Sequence, residues 1–313
     1  MKKFKKALFG ALTVAAAVLA TACSSSKSSS SSKGYTPSKS HPLTIQFVPS
    51  QAASTLEAKA KPLEKILSKK LGVPVKISMS TDYNTVVEAM KSKKVDVGFL
   101  PPDGYVLAHK QKAADVLLQA LRYGIKQPGG KATNKLVKVY RSEILVKKGS
   151  KIKSWKDLKG KKIAVQNATS SAGYIFPIAE LKEKGLDLTK KGNANLVTVT
   201  GHDQAVLDVL NGDVDAAFTF EDARNTVLAD QPNIMKKVVP IYFTKSIPND
   251  TISVRSDMSS SFRKKLSKAF ESLRNDKKSL KIIESIYSHE GYTPSKDSDF
   301  NIVRKYDKMA ATK

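Results

Sequence analysis

The sequence predicts an α/β protein built as two lobes facing each other across a cleft, and three observations predict it. Strand-like apolar runs alternate with amphipathic helical runs over most of the chain, the pattern of parallel sheets joined by right-handed crossovers. A weak self-similarity recurs at an offset of 118 to 119 residues, so the pattern occurs twice. About 270 residues follow a polar N-terminal segment, enough for one large or two medium domains with proper cores.

The chain opens Met1-Lys-Lys-Phe-Lys-Lys6 and continues through an apolar stretch to Leu19-Ala-Thr-Ala-Cys23. This reads as a signal peptide over residues 1–22, because the apolar part is shorter than the ~20 residues that span a bilayer. Small residues at 20–22 before Cys23 resemble the lipobox of bacterial lipoproteins, with Ala20 where leucine is usual, so Cys23 is the expected lipidation site. Ordinary secretory cleavage beside an incidental cysteine is the alternative. Cys23 is the only cysteine, which excludes an intrachain disulfide. Residues 23–40 are nearly all serine and lysine and read as a flexible tether.

In the first repeat, a strand at 43–48 leads through a polar loop to a helix, a second strand at 75–79 does the same, and residues 86–99 read as helix, turn and buried strand. The second repeat places its strands at 162–166 and 196–199, and residues 205–218 match 86–99. From 247 onward the chain reads as a strand followed by helices at 259–274 and 279–288, crossing back to pack on the first lobe. The crossing strands are expected near 140–147 and 240–254, making a hinge. The expected division is 41–142 plus 251–313 for lobe 1 and 143–250 for lobe 2.

Open α/β sheets bind ligands beyond the carboxyl ends of their strands, so six loops should face the cleft: 49–55, 80–84, 100–105, 167–174, 200–203 and 219–222. Asn167-Ala-Thr-Ser-Ser-Ala-Gly-Tyr174 joins a strand to a helix. Unpaired N–H groups, hydroxyls and the positive end of the helix dipole there suit a small oxyanion, and an ordinary helix cap is the alternative. His202, Tyr83 and Tyr105 fall on cleft loops as candidate donors, although a solvated loop histidine or a packing tyrosine is the ordinary reading of each alone. Glu221, Asp222 and Asp250 also lie at predicted cleft ends. They would suit an amine close to the ligand's acidic group, with helix capping and a turn as the alternatives.

Net charge is +26, or +22 once the four lysines of the signal segment are removed. The lysines are scattered over helices, which argues against nucleic acid and favours adaptation to an anionic cell surface. There is no Gly-x-Ser-x-Gly and no P-loop, and the four histidines lack metal-ligand spacing, so neither enzyme chemistry nor a cofactor is expected.

Several short motifs in order then carry a resemblance over residues 43–292: Asp82-Tyr-Asn84, Val95-Asp-Val-Gly-Phe99, Tyr140-Arg-Ser142, Trp155-Lys-Asp-Leu-Lys-Gly-Lys161, Gly201-His-Asp203, Asn211-Gly-Asp-Val-Asp215 and Ile247-Pro-Asn-Asp250. The chain resembles the PhnD-like phosphate, phosphite and phosphonate substrate-binding proteins of ABC importers. The resemblance implies a two-lobe type 2 periplasmic-binding-protein fold, with a hinge of two crossing strands and a ligand cleft between the lobes. It implies that Ser170, Ser171, Ala172, His202, Tyr83 and Tyr105 surround a phosphonate, with Asp250 and Glu221 toward a ligand amine. In the family the turn carries three hydroxyls, whereas here Ala172 stands at the third. The implied function is capture of a phosphonate-like oxyanion for a membrane permease and its ATPase, at the extracytoplasmic face of the cell membrane and without catalysis. A binding protein for another small solute, an envelope enzyme on the same fold, and an adhesin or nucleic-acid binder are the alternatives.

Overall fold

The computed structural model describes residues 34–311. The signal segment, Cys23 and most of the tether lie outside the described residues. The first half runs β1 (Leu43–Phe47), α1 (Ala53–Ala60), α2 (Pro62–Leu71), β2 (Val75–Met79), α3 (Tyr83–Lys91), β3 (Val97–Leu100) and α4 (Pro102–Lys110). Local chemistry sets the joins. Asp82 caps α3 by accepting the Thr85 N–H at 2.9 Å. Pro102 opens α4 where a missing N–H costs nothing, and Gly72 ends α2 in the left-handed conformation. Leu63, Leu67 and Leu71, spaced by four, form the stripe that α2 buries.

A long strand follows, β4 (Ala114–Lys126), then β5 (Lys131–Val137) and the short β6 (Val139–Tyr140). The second half runs β7 (Ser142–Lys147), β8 (Lys161–Val165), α5 (Phe176–Glu183), β9 (Ala194–Thr198), α6 (His202–Asn211), β10 (Ala216–Phe220), α7 (Ile234–Lys237) and β11 (Val238–Phe243). The chain finishes with β12 (Ile247–Pro248), β13 (Thr251–Arg255), α8 (Ser260–Glu271), α9 (Lys277–Tyr287), β14 (Gly291–Pro294) and α10 (Asn301–Ala310).

The repeat is visible in the sheets. One has the order β14-β4-β13-β3-β1-β2, with β5 extending β4, and the other has β11-β7-β10-β8-β9. In each, the first strand of the repeat pairs in parallel with its second and third: β1 with β2 and β3, and β8 with β9 and β10. The third strand then pairs antiparallel with a strand that has just left the hinge, β13 in one sheet and β7 in the other. The hinge itself is the antiparallel pair β6 and β12, with Tyr140 opposite Ile247 and Val139 opposite Pro248. The first crossing thus falls at the edge of the stretch that the sequence indicates and the second inside its stretch.

Two features were not foreseen. The β4–β5 hairpin has no counterpart in the second repeat, and its tip reaches the other half, where Arg224 Nη2 donates to the Pro128 carbonyl at 2.9 Å and Asn225 Nδ2 to that of Gly130 at 3.0 Å. Helix α10, placed by sequence with the first lobe, also packs on the second. The Tyr306 ring stacks on Phe176 of α5 at 4.1 Å, and its hydroxyl donates to Glu180 at 2.9 Å.

Loops of the two halves meet above the cleft. The His202 N–H donates to the Ser50 carbonyl at 2.9 Å, and the Ala52 N–H to the Asp203 carboxylate at 3.1 Å. Gly201 permits this contact, since its φ of 92° is one that side-chain-bearing residues rarely adopt. The conformation described is therefore closed over the cleft.

Candidate anion-binding site

Between the sheets lies a cavity of about 240 Å³, lined from both halves. Its centrepiece is the junction after β8. Ser170 caps the following helix, its Oγ accepting the Gly173 N–H at 3.2 Å. The helix begins as a π-helical turn, Ser171–Ile175, and continues as α5. As its first two positions, Ser171 and Ala172 have no intrahelical acceptor for their N–H groups. Ser170 and Ala172 line the cavity, so the hydroxyl and the unpaired N–H end of a helix face the same space.

Around this end stand three donors. Tyr83, the first residue of α3, is buried with its hydroxyl beside Ser170, and burial raises its phenol so that the O–H is retained at any physiological pH. Tyr140 on the hinge strand is likewise buried and held protonated, chiefly by burial and then by the nearby Asp250. His202, the first residue of α6, is 3% exposed and rests on Phe220 at 4.8 Å between ring centres, with its Nδ1 unpartnered. Burial alone pushes its imidazole down to about 3, so it is neutral here and offers one N–H.

That depression has a measurable consequence. In the unfolded chain the imidazole takes a proton near its ordinary 6.5, whereas in the fold it does not until about 3. As pH falls through that window the unfolded state binds the extra proton, and His202 withdraws stability at up to about 1.4 kcal/mol per pH unit. Urea unfolding at pH 7, 5 and 4 should show a steeper loss for the wild type than for His202→Asn. Parallel losses would show that His202 is not buried neutral.

The lining also carries charge. Arg122 of β4 meets Asp222, just past β10, with Nη2 at 2.5 and 2.6 Å from the two carboxylate oxygens. The side chains are 7% and 6% exposed, and the guanidinium lies 5.7 Å from the Tyr140 ring centre. Asp250 also lines the cavity, its carboxylate 3.6 Å from His289 Nε2.

Of the eight ligand contacts expected from sequence, the structure brings together Tyr83, Ser170, Ala172, His202 and Asp250. Three lie elsewhere. Tyr105 is the fourth residue of α4, which turns it into the helix packing. Its hydroxyl donates to Asp297 at 2.7 Å and its ring meets Phe300 edge-on at 4.8 Å, so it does not line the cavity. Ser171 faces α4, where its Oγ accepts the Asp103 N–H at 3.2 Å. Glu221 accepts from Gln127 Nε2 and from the Arg141 N–H. Beyond a strand end successive side chains diverge, and it is Asp222 that enters the cavity. Sequence reasoning missed Tyr140 and Arg122 as cavity residues. Tyr140 had a signal, since a hinge strand must border a cleft, whereas Arg122 sits on the hairpin that lacks a repeat partner. Among the described residues, no helix is long and apolar enough to cross a membrane, and no cluster of His, Cys, Asp or Glu could hold a metal.

A family model described as "ABC transporter, phosphonate, periplasmic substrate-binding protein" matches residues 45–300. The phosphate-import protein PhnD of Mycolicibacterium smegmatis is 30% identical over 227 residues, covering 70% of this chain and 66% of its own length, just under two thirds. The phosphonates-binding periplasmic protein of Escherichia coli is 23% identical, covering 83% and 74%. The fold is similar to that of a Prochlorococcus marinus protein solved with methylphosphonate, at a TM-score of 0.72 and 17% identity over 85% of this chain and 97% of that one. A binding-protein component of a Pseudomonas aeruginosa ABC phosphonate transporter gives 0.71 and 19% over 86% of each. With a match over most of its length, the chain belongs to the periplasmic substrate-binding protein family of phosphonate ABC transporters.

Proposed function

We propose that this chain is the substrate-binding component of an ABC importer: it encloses a phosphonate-like oxyanion between its lobes and passes it to a membrane permease driven by an ATPase partner. The carrying observation is the convergence of Ser170, the N–H end of α5, neutral His202 and two protonated tyrosines on one enclosed cavity. Among the described residues no hydrogen bond joins the Ser170 hydroxyl to His202 or to a cavity carboxylate, which supports a site that binds rather than transforms. Donors from both lobes reach the anion together only when the lobes close, so ligand and closed state stabilise each other. Lipid on Cys23 would hold the molecule at the extracytoplasmic face, with residues 24–40 as the tether.

The test is calorimetric titration of the full-length chain with methylphosphonate, aminoethylphosphonate, phosphite and phosphate. At least one should bind with a Kd well below about 1 mM, an affinity worth about 4 kcal/mol. Failure of all four at that concentration overturns the reading. Mass spectrometry of the mature N-terminus tests the anchor, which an unmodified Cys23 would remove.

A further inference from the structure

The cavity lining combines neutral and N–H donors with three charged side chains, Arg122, Asp222 and Asp250. Carboxylates beside an anion site invite a ligand ammonium, and the sequence alone points that way. The structure shows these carboxylates already supplied with a cation. Arg122 reaches Asp222 from the opposite lobe through a doubly contacted, almost wholly buried pair. Burial disfavours the charged guanidinium, but the carboxylates of Asp222, Glu221 and Asp250 more than offset it, so the charge is fixed there. Its Nε–H is buried without a partner, which leaves a donor unspent beside these carboxylates.

We propose that Arg122 is a specificity-determining residue, an internal counter-cation that fills the ammonium position and tunes this cavity to oxyanions whose substituent is absent or uncharged, such as methylphosphonate, phosphite or phosphate, over aminoalkylphosphonates. This rests on the reading of the chain as an oxyanion-binding protein. An incoming ammonium must either displace a guanidinium from a buried carboxylate or sit beside it, like charge against like, and breaking such a pair is among the costliest changes inside a protein. A methyl group or a bare oxygen makes no such demand.

The experiment compares methylphosphonate with 2-aminoethylphosphonate on the full-length wild type, Arg122→Ala and Arg122→Lys. The readout is the ratio of the two affinities within one preparation, from which any unfolded fraction cancels. The wild type should favour methylphosphonate by about tenfold or more, and Arg122→Ala, which exposes Asp222, should move the ratio toward the amine by about tenfold or more. Arg122→Lys retains the charge and should keep the wild-type order. A wild type that prefers the amine, or a ratio that Arg122→Ala leaves unmoved, overturns the inference while leaving the oxyanion reading intact. Should neither these ligands nor phosphite or phosphate bind the wild type, the oxyanion reading falls and the inference with it.

Discussion

Gly173→Ala should weaken oxyanion binding about a hundredfold or more and loosen the second lobe. A Cβ built at Gly173 would lie 2.5 Å from Gln166 Cβ, nearer still to its Cγ, and 3.0 Å from Ser170 Oγ. The backbone dihedral is not the obstacle here; space is. Gln166 Cβ is fixed to the end of β8 and has no rotamer that removes it, so the backbone must give. On one side that moves the turn whose N–H groups face the cavity. On the other it moves Gln166, which is 1% exposed and whose Nε2 donates to the Gly201 carbonyl at 3.2 Å, directly before His202. Cradle and histidine are therefore disturbed together. Overpacking of this kind costs about 1–3 kcal/mol of stability. Loss of two hydrogen bonds to an anion, each worth about 1.5–3 kcal/mol, lowers affinity roughly a hundredfold or more. Calorimetry with whichever oxyanion the wild type binds, together with urea unfolding, checks both parts. Near-wild-type affinity in the variant would mean that the turn is not where the ligand sits.

This glycine also shows how much of the site was legible in the sequence. The repeat places residues 170–173, His202 and Tyr83 at the carboxyl ends of strands, because a period of 118 to 119 residues carries the strand-loop-helix frame from one lobe to the other. The frame fixes which loop faces the cleft but not which side chain of that loop does. Ser170 and Ser171 are neighbours, yet the cap geometry turns the first toward the cavity and the second into α4. Tyr105 and Tyr140 are both plausible donors by type. The first is rotated away by its place in α4, and the second is presented by a hinge strand only two residues long. Arg122 lay beyond reach for another reason. It belongs to a hairpin outside the repeat and meets Asp222 across 100 residues of chain, so no local spacing announces the pair. Conversely, Ala172 departs from the family's turn in losing a hydroxyl but keeps the backbone position. Its carbonyl accepts from Ser142 Oγ at 2.6 Å, and its N–H, in the first turn of the helix, has no intrahelical acceptor.

The second large effect concerns the support behind the acidic wall. Arg224, 2% exposed, lies against Glu143, which is fully buried, with Nη2 and Oε2 3.4 Å apart, and Thr219 Oγ1 stands 3.5 Å from the same carboxylate. The guanidinium also donates to the carbonyls of Val238 at 3.2 Å and of Pro128 at 2.9 Å. It thereby ties the hairpin tip to the segment carrying Asp222 and Asn225, both of which line the cavity. Arg224→Met removes the one cation beside Glu143 among the described ion pairs and should cost about 3–5 kcal/mol near neutral pH, as breaking a buried pair does.

Part of that loss should return on acidification. Burial already pushes the Glu143 carboxyl well above its ordinary value, with Arg224 as the chief opposing influence. Without Arg224 it rises further, so the folded variant holds a proton over a pH range in which the unfolded chain, titrating near 4.5, does not. Where the folded state binds the extra proton, stability falls as pH rises and recovers as pH falls. Urea unfolding at pH 8 and pH 5 should therefore show a larger gap between wild type and Arg224→Met at pH 8. An equal gap at both would assign the cost to lost hydrogen bonds at Pro128 and Val238 rather than to a stranded carboxylate. Ligand affinity provides the link to function: the variant releases the hairpin from the loop that carries Asp222, so the cavity should lose affinity even under mildly acidic conditions where its stability is largely restored.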